Sequence, residues 1–229
     1  MGIKQRKERE KEIRKESIID AAEQVIQRRG FDSATMDEIA ENAELGKGTL
    51  YLYFKNKSSI YLAVCNKGSK ILNGRMAKVL TSDLPGLTLI RKLGETYLEF
   101  IRENPIYFNA FTYYESLLDQ GLLEESPIAE ECEEHTKEAM AYIVRSLQIG
   151  MQDGSIDNSY NPKELGVIIW GASKGLVHMA HIKNKGRQYK MLEDVEFSLE
   201  SLIGNFIELI GSGIASKKMT DSQNIETSM

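Results

Sequence analysis

The sequence predicts an all-α protein. A three-helix N-terminal helix-turn-helix domain is followed by a larger helical body, about nine helices in all. Three observations predict it. Apolar residues recur at three- and four-residue spacing, with no alternating runs joined by an Asn-Gly or Asp-Gly hairpin. Helix starts carry capping residues, and three of them place proline at the first helical position. At 229 residues the chain can bury a full core without metal or disulfide staples.

The elements follow in order. Ile18, Ala22, Val25 and Ile26 form an apolar stripe, and Gly30 closes that helix. Thr35 and Glu38 have capping-box spacing, so a second helix starts there and runs to Ala43. A third spans Lys47 to Phe54. Asn56 caps a longer helix through Ile60, Val64 and Ile71 to about Leu80. After the loop Asp83-Leu84-Pro85-Gly86, helices open at Asn104-Pro105, Ser126-Pro127 and Asn161-Pro162. Gly154-Ser155 and Asn184-Lys185-Gly186 close two of them. A final helix is expected from about Leu192 to Ile214, and the polar stretch Ser216 to Met229 reads as a disordered tail.

Composition narrows the function classes. Apolar residues at 41% and charged residues at 28% place the chain among globular proteins, and no apolar run approaches the roughly 18 residues of a membrane span. Met1 to Lys15 is charged and lacks the apolar core of a signal peptide, which leads to an expectation of a cytoplasmic protein. Cys65 and Cys132 are too few for a disulfide scaffold and read as buried thiols. Net charge is −5, but it is unevenly spread. Residues 1–60 carry 12 cations against 11 anions, the remainder 17 against 23. This permits a polyanionic partner at the front and disfavours one at the body.

Residues 35–54 read TMDEIAENAELGKGTLYLYF. Two short helices joined by a turn at Glu44–Gly46 make a helix-turn-helix, with Ile39, Ala40, Leu45, Leu50 and Phe54 facing inward. Lys47, Gly48, Thr49, Tyr51, Leu52, Tyr53 and Lys55 are left outward or at the edges. Such a surface suits phosphates and base edges; packing of Tyr51 and Tyr53 between neighbouring helices is the alternative. Lys4 to Lys15 is either a basic arm reaching a duplex or a solvated helix extension, since Glu8, Glu10 and Glu12 are interleaved.

This stretch resembles the DNA-binding domain of the TetR family of bacterial transcription regulators, whose recognition helix commonly reads K-G-T-L-Y-x-Y-F. Lys47 to Phe54 match it throughout. Gly30-Phe31, Ala34-Thr35-Met36 and Ile39-Ala40 fit the upstream pattern, and the match covers about residues 16–64. Two positions depart from it. Glu44 stands where the family often has glycine, and Gly46 where it has serine or threonine. The resemblance implies phosphate contacts by Thr49, Tyr51, Tyr53 and Lys57, with Lys47, Gly48 and Leu52 nearest the base edges. It also implies a ligand-responsive repressor that binds a pseudo-palindromic double-stranded DNA operator as a homodimer. The expected domains are 1–56 for DNA, 57–215 for effector binding and dimerisation, and 216–229 as the tail.

In the body, the last helix carries one stripe of Leu199, Leu202, Phe206 and Leu209 beside another of Ile203, Ile207, Ile210 and Ile214. A helix apolar over so wide an arc buries two faces. With Leu165, Ile168, Ile169, Ala172 and Leu176 from the preceding helix, it reads as a four-helix dimer interface. Seven of the 18 aromatics lie within residues 97–114: Tyr97, Phe100, Tyr107, Phe108, Phe111, Tyr113 and Tyr114. They form either core or, as the resemblance implies, the wall of a pocket for a mainly apolar small-molecule effector, with Trp170 and His178 added to the lining. Arg91, Lys92 and Arg102 are the nearby cations, too few for a polyanion. His178 and His181 lack the partners of a zinc site, so no metal or cofactor is expected. The H-E-x-x-H motif is absent, and Gly46-Lys47-Gly48-Thr49 lacks the spacing of a phosphate loop, so the sequence does not read as an enzyme.

Overall fold

A computed structural model of the protein describes residues 2–184 and 190–216. Within them the chain is helical: α1 (Ile3–Arg29), α2 (Met36–Asn42), α3 (Lys47–Tyr53), α4 (Lys57–Leu80), α5 (Gly86–Glu103), α6 (Pro105–Asp119), α7 (Pro127–Asp153), α8 (Pro162–Asn184), a 3₁₀ turn at Lys190–Leu192, and α9 (Leu199–Ile214). Among the described residues there is no strand, only an isolated antiparallel bridge between Ile156 and Ala215.

The capping signals at Thr35, Asn56, Ser126 and Asn161 act through their side chains, whereas Asn104 takes the N-cap position of α6 without a side-chain cap hydrogen bond. The Thr35 hydroxyl accepts from the Glu38 N–H at 3.2 Å while the Glu38 carboxylate accepts from the Thr35 N–H at 3.2 Å. Asn56 Oδ1 accepts from the Ser59 N–H at 2.8 Å, and Asn161 Oδ1 from the Lys163 N–H at 2.9 Å. Each satisfies a donor that the first helical turn leaves open. Two expectations need correction. The last helix starts at Leu199, not Leu192. Ser198 caps it by accepting from the Ser201 N–H at 3.1 Å, and the apolar Leu192 belongs to the separate 3₁₀ turn. Ile71 is exposed and lies off the buried stripe of α4. Lys185, Gly186 and residues 217–229 lie outside the described residues, and with them most of the expected tail.

The chain divides into two compact units. One takes the residues up to Ile71 together with Glu103–His135; the other takes Leu72–Arg102 and the chain from Thr136 onward. Residues 57–71 and 103–135 thus group with the helix-turn-helix, where the sequence places them in the body. In the first unit, Ile18, Ala22, Val25, Ile39, Leu50, Phe54, Ile60 and Val64 are buried together as the core. Asn42 of α2 is held to α1, donating to Gln24 at 3.0 Å and accepting from Arg28 at 3.0 Å. Lys67 of α4 pairs with Asp20 and Glu23 of α1, each at 2.7 Å, and the Tyr107 hydroxyl of α6 donates to Glu23 at 2.9 Å. Burial and the Glu23 carboxylate push the Tyr107 phenol up to about 12, so it remains a donor. Gly68 admits the Tyr107 ring, which would stand 2.6 Å from any Cβ placed there.

In the second unit α5 starts against the end of α7. The Gly86 N–H donates to Asp153 at 2.8 Å and the Leu87 N–H to Ser155 at 3.1 Å, so tertiary partners cap this helix. A Cβ on Gly86 would lie 2.0 Å from the Gly150 nitrogen, so the two backbones touch. α9 packs on α8 and reaches α5, where Arg91 meets Glu208 at 3.3 Å.

Candidate nucleic-acid interface

The geometry of α3 follows from its cap and its two apolar residues. Gly46 takes the N-cap position, and the Leu50 N–H donates to its carbonyl at 3.2 Å. Leu50 is 0% exposed and Phe54 1%, which fixes the rotation of the helix about its axis. That rotation leaves Lys47, Gly48, Thr49, Tyr51 and Leu52 exposed, Leu52 at 83%, and Tyr53 half-buried at the edge. A leucine this open on a helix this short adds nothing to the core. No heavy atom comes within 4 Å of a Cβ built on Gly48.

The turn before α3 holds Glu44 at φ +55°, the one non-glycine residue with positive φ among those described. Its neighbours enforce the shape: the Leu45 N–H donates to Ala40 O at 2.9 Å and the Glu44 N–H to Glu41 O at 3.0 Å. This is the position where glycine was noted to be common, and the left-handed backbone explains why.

Two of the expected DNA-contacting lysines already have partners. Lys47 pairs with Asp37 of α2 at 2.5 Å, both side chains more than half exposed. Lys57, the first residue of α4, donates to the Asp32 carbonyl at 2.8 Å and stands 5.3 Å from the centre of the Tyr61 ring. Exposed pairs of this kind contribute about 0–1 kcal/mol, so a phosphate can replace them. Lys55 is exposed. Beneath Lys57, the rings of Phe31, Tyr61 and Tyr113 cluster at 4.3–6.2 Å between centroids. The Tyr61 hydroxyl donates to the Phe31 carbonyl, and that of Tyr113 to Ser58 Oγ at 3.1 Å. The sequence reading missed this cluster and the Asp37 partner because both depend on contacts between separate elements.

The aromatic run is divided by the fold. Tyr107, Phe108 and Tyr114 are buried and Phe111 half-buried in the first unit; Phe100 is buried and Tyr97 half-buried in the second. Tyr107 serves the α1–α4 junction, and Phe100 lies under Arg75 at 5.5 Å. Trp170 is half-buried beneath Lys174 at 5.6 Å, while His178 is exposed. The first unit has an open cleft of about 440 Å³ between α1 and the α2–α3 turn, lined by Glu16, Asp20, Gln24, Asn42 and Glu44 among others; it is polar and acidic.

On α8 the expected interface residues separate. Leu165 and Ile169 are buried in the chain's own core, and Ala172 and Leu176 are half-buried. The outward face is one step further round: Val167 at 62% exposed, Ile168 at 58%, Gly171, Gly175 and His178. No atom comes within 4 Å of a Cβ on Gly171 or Gly175. Against the sequence reading that found no stretch approaching a membrane span, α8 is long and apolar enough to cross a membrane by length and composition, and 22% of its apolar window is buried within the chain. On α9 Ile203 and Ile214 are buried, Leu199, Leu202, Phe206, Ile207 and Ile210 half-buried, and Leu209 69% exposed.

A three-helix unit with a buried Leu50–Phe54 seam and an open, polar-edged second helix is a helix-turn-helix of the DNA-binding class. Residues 18–64 match the family model of the bacterial regulatory proteins, tetR family. Over 102 residues the chain is 28% identical to an uncharacterized HTH-type transcriptional regulator of Haemophilus influenzae, covering 44% of this chain and 54% of that protein. Over 47 residues it is 45% identical to the fatty acid metabolism regulator protein of Bacillus subtilis, 20% of this chain and 24% of that one. The chain thus spans about half or less of these curated relatives. The crystal structure of the regulator FadR from Bacillus subtilis in complex with stearoyl-CoA superposes with a TM-score of 0.64 at 20% identity, covering 86% of this chain and 98% of that one. At that identity the likeness establishes the fold. These relatives are transcription regulators rather than enzymes.

Proposed function

We propose that the protein is a cytoplasmic, ligand-responsive repressor that binds a pseudo-palindromic DNA operator as a homodimer. The observation that carries this is the division of α3: Leu50 and Phe54 anchor it while Lys47, Gly48, Thr49, Tyr51 and Leu52 stand open. Gly48 lets the backbone approach base edges, and Leu52 offers apolar contact to a thymine methyl. Thr49, Tyr51, Tyr53 and Lys55 hold phosphates, joined by Lys57 once it leaves the Asp32 carbonyl. Residues 1–56 read DNA and 57–215 hold the effector and the dimer contact. Two recognition helices enter successive major grooves, about 34–36 Å apart or a multiple of it.

The outward faces of α8 and α9 supply the dimer contact, with Ile168, Val167, Leu202, Phe206 and Leu209 pairing across a two-fold axis and Gly171 and Gly175 permitting close helix approach. An apolar helix left largely uncovered by its own chain supports this reading. The effector is a mainly apolar small molecule, with the α6 aromatics Tyr107, Phe108, Phe111 and Tyr114 the residues to test, and it acts by shifting α4 and so the spacing of the two α3 helices. The similarity to a fatty acid metabolism regulator, and the fold shared with a stearoyl-CoA complex, make long-chain acyl compounds the class to test first.

The reading is tested by fluorescence anisotropy over a salt series, with genomic fragments and random duplexes. Lys57→Ala should weaken binding to all sequences alike and shallow the log–log salt slope by about 1. Gly48→Val should block groove approach while leaving the circular dichroism spectrum unchanged. Parent-like binding by both variants would refute the assignment of α3 as the reader.

A further inference from the structure

α1 is longer than the core requires. Its buried positions begin at Ile18, so the helix from Ile3 to Ser17 extends about 22 Å beyond them at 1.5 Å per residue. From Lys4 to Ser17 every residue is exposed except Lys15, which is half-buried. At 3.6 residues per turn Lys4, Lys7, Lys11, Arg14 and Lys15 fall within one arc of about 100°. Ile18, Ala22 and Val25 fall in that same arc, so the cationic stripe prolongs the face that α1 buries in its own unit. Glu12 and Glu16 lie outside it. Glu8 and Glu10 flank it, and Glu10 is engaged by Arg6 at 2.8 Å. Among the described residues none of the five stripe cations has an ion-pair partner.

Within the stripe, Lys7 and Lys11 at i, i+4, and Lys4 and Lys7 at i, i+3, repel by a few tenths of a kcal/mol each, and Glu8, Glu10 and Glu12, three or four residues from its members, offset this by similar amounts. Cations one helical turn apart along about 16 Å of axis match a polyanion. Double-stranded DNA carries one charge per about 1.7 Å.

We infer that the Lys4–Lys15 stripe of α1 is a second DNA-contacting surface, binding the phosphate backbone without regard to sequence alongside the contacts made by α3. This rests on the reading of α3 as the recognition helix. The stripe supplies affinity and salt dependence; α3 supplies sequence preference.

A pair of charge-matched double variants of the full chain tests it. Lys7→Gln with Lys11→Gln removes two cations from the stripe; Arg6→Gln with Arg9→Gln removes two from the other side of the same helix. Gln preserves helix propensity, and circular dichroism checks this. Binding is measured by anisotropy on a labelled random-sequence duplex over a salt series. The stripe variant should shallow the log–log slope by about 2, and the opposite-face variant should leave it at the parent value. Equal loss in both would show a diffuse field and overturn the assignment, as would no loss in either. Gly48→Val, measured alongside for sequence preference, separates the two readings. If it alone behaves like the parent, the α3 reading fails. If only the stripe pair does, the stripe proposal fails. A parent chain that binds no DNA overturns both.

Discussion

Leu50 and Leu52 lie two residues apart on α3, and the same substitution at each should give opposite results. Leu50 is 0% exposed and Leu52 83%. Leu50→Ala leaves a cavity in the core it shares with Ile39, Ala40 and Phe54, at a cost of about 2–5 kcal/mol. For a chain of this length that lowers the melting temperature by about 4–20 °C. Leu52→Ala removes atoms that already face solvent, so its stability should stay within about 0.5 kcal/mol of the parent. Its loss falls on recognition. At one position per half-site it should cost about 1–3 kcal/mol, or about 5- to 150-fold in affinity for the preferred sequence. Thermal melts followed by circular dichroism read the first quantity; anisotropy on preferred and random duplexes below the melting range reads the second. If Leu52→Ala melts as early as Leu50→Ala, the orientation of α3 is wrong. If it keeps the parent's sequence preference, the exposed leucine faces no base.

Three further outcomes follow from particular residues. Glu44→Gly relieves a left-handed backbone worth about 1–2 kcal/mol and gives back about 0.5–1 in chain entropy, so urea denaturation should show a net gain of about 0.5–1 kcal/mol; a loss would mean the turn has another shape. Ile168→Lys on the outward face of α8 should yield a folded monomer by sedimentation velocity, as should charged residues at Leu202 and Phe206, whereas Leu165→Ala should keep the dimer and lose about 2–5 kcal/mol of stability. An unchanged dimer in the Ile168 variant would place the interface elsewhere. A long-chain acyl compound at a hundred times its dissociation constant should stabilise the fold by about 2.7 kcal/mol in a thermal shift assay; tight binding of a sugar phosphate by the body instead would exclude an apolar effector.

The parts of the fold that depend on neighbours in sequence were legible. Thr35 with Glu38, Asn56 with Ser59 and the prolines at 105, 127 and 162 each act within one helical turn, so residue type alone locates the helix starts. The start of α9 was misplaced because Leu192 continues the apolar pattern while the Ser198 cap uses a second serine in place of the usual acid. The assignment of α6 and the first turns of α7 to the helix-turn-helix unit was not legible. It depends on long-range contacts such as Tyr107 with Glu23 and Cys132 with the Leu62 carbonyl at 3.5 Å. On α8, Leu165, Ile168 and Ile169 are apolar alike, and periodicity does not tell which face the chain keeps for itself. The α3 surface was readable because a helix so short has room for one buried seam.

Glycine inside a helix costs about 0.5–1 kcal/mol relative to alanine, so each one retained there calls for a reason. For Gly86 and Gly68 the reason is inside the chain: the Gly150 backbone against one and the Tyr107 ring against the other. For Gly48 in α3, and for Gly171 and Gly175 in α8, no other element among the described residues comes within 4 Å of a methyl group placed there. All three lie on the surfaces proposed for DNA and for a second copy, where a bare backbone permits close approach; Gly74 of α4 and Gly204 and Gly213 of α9 have the same open surroundings.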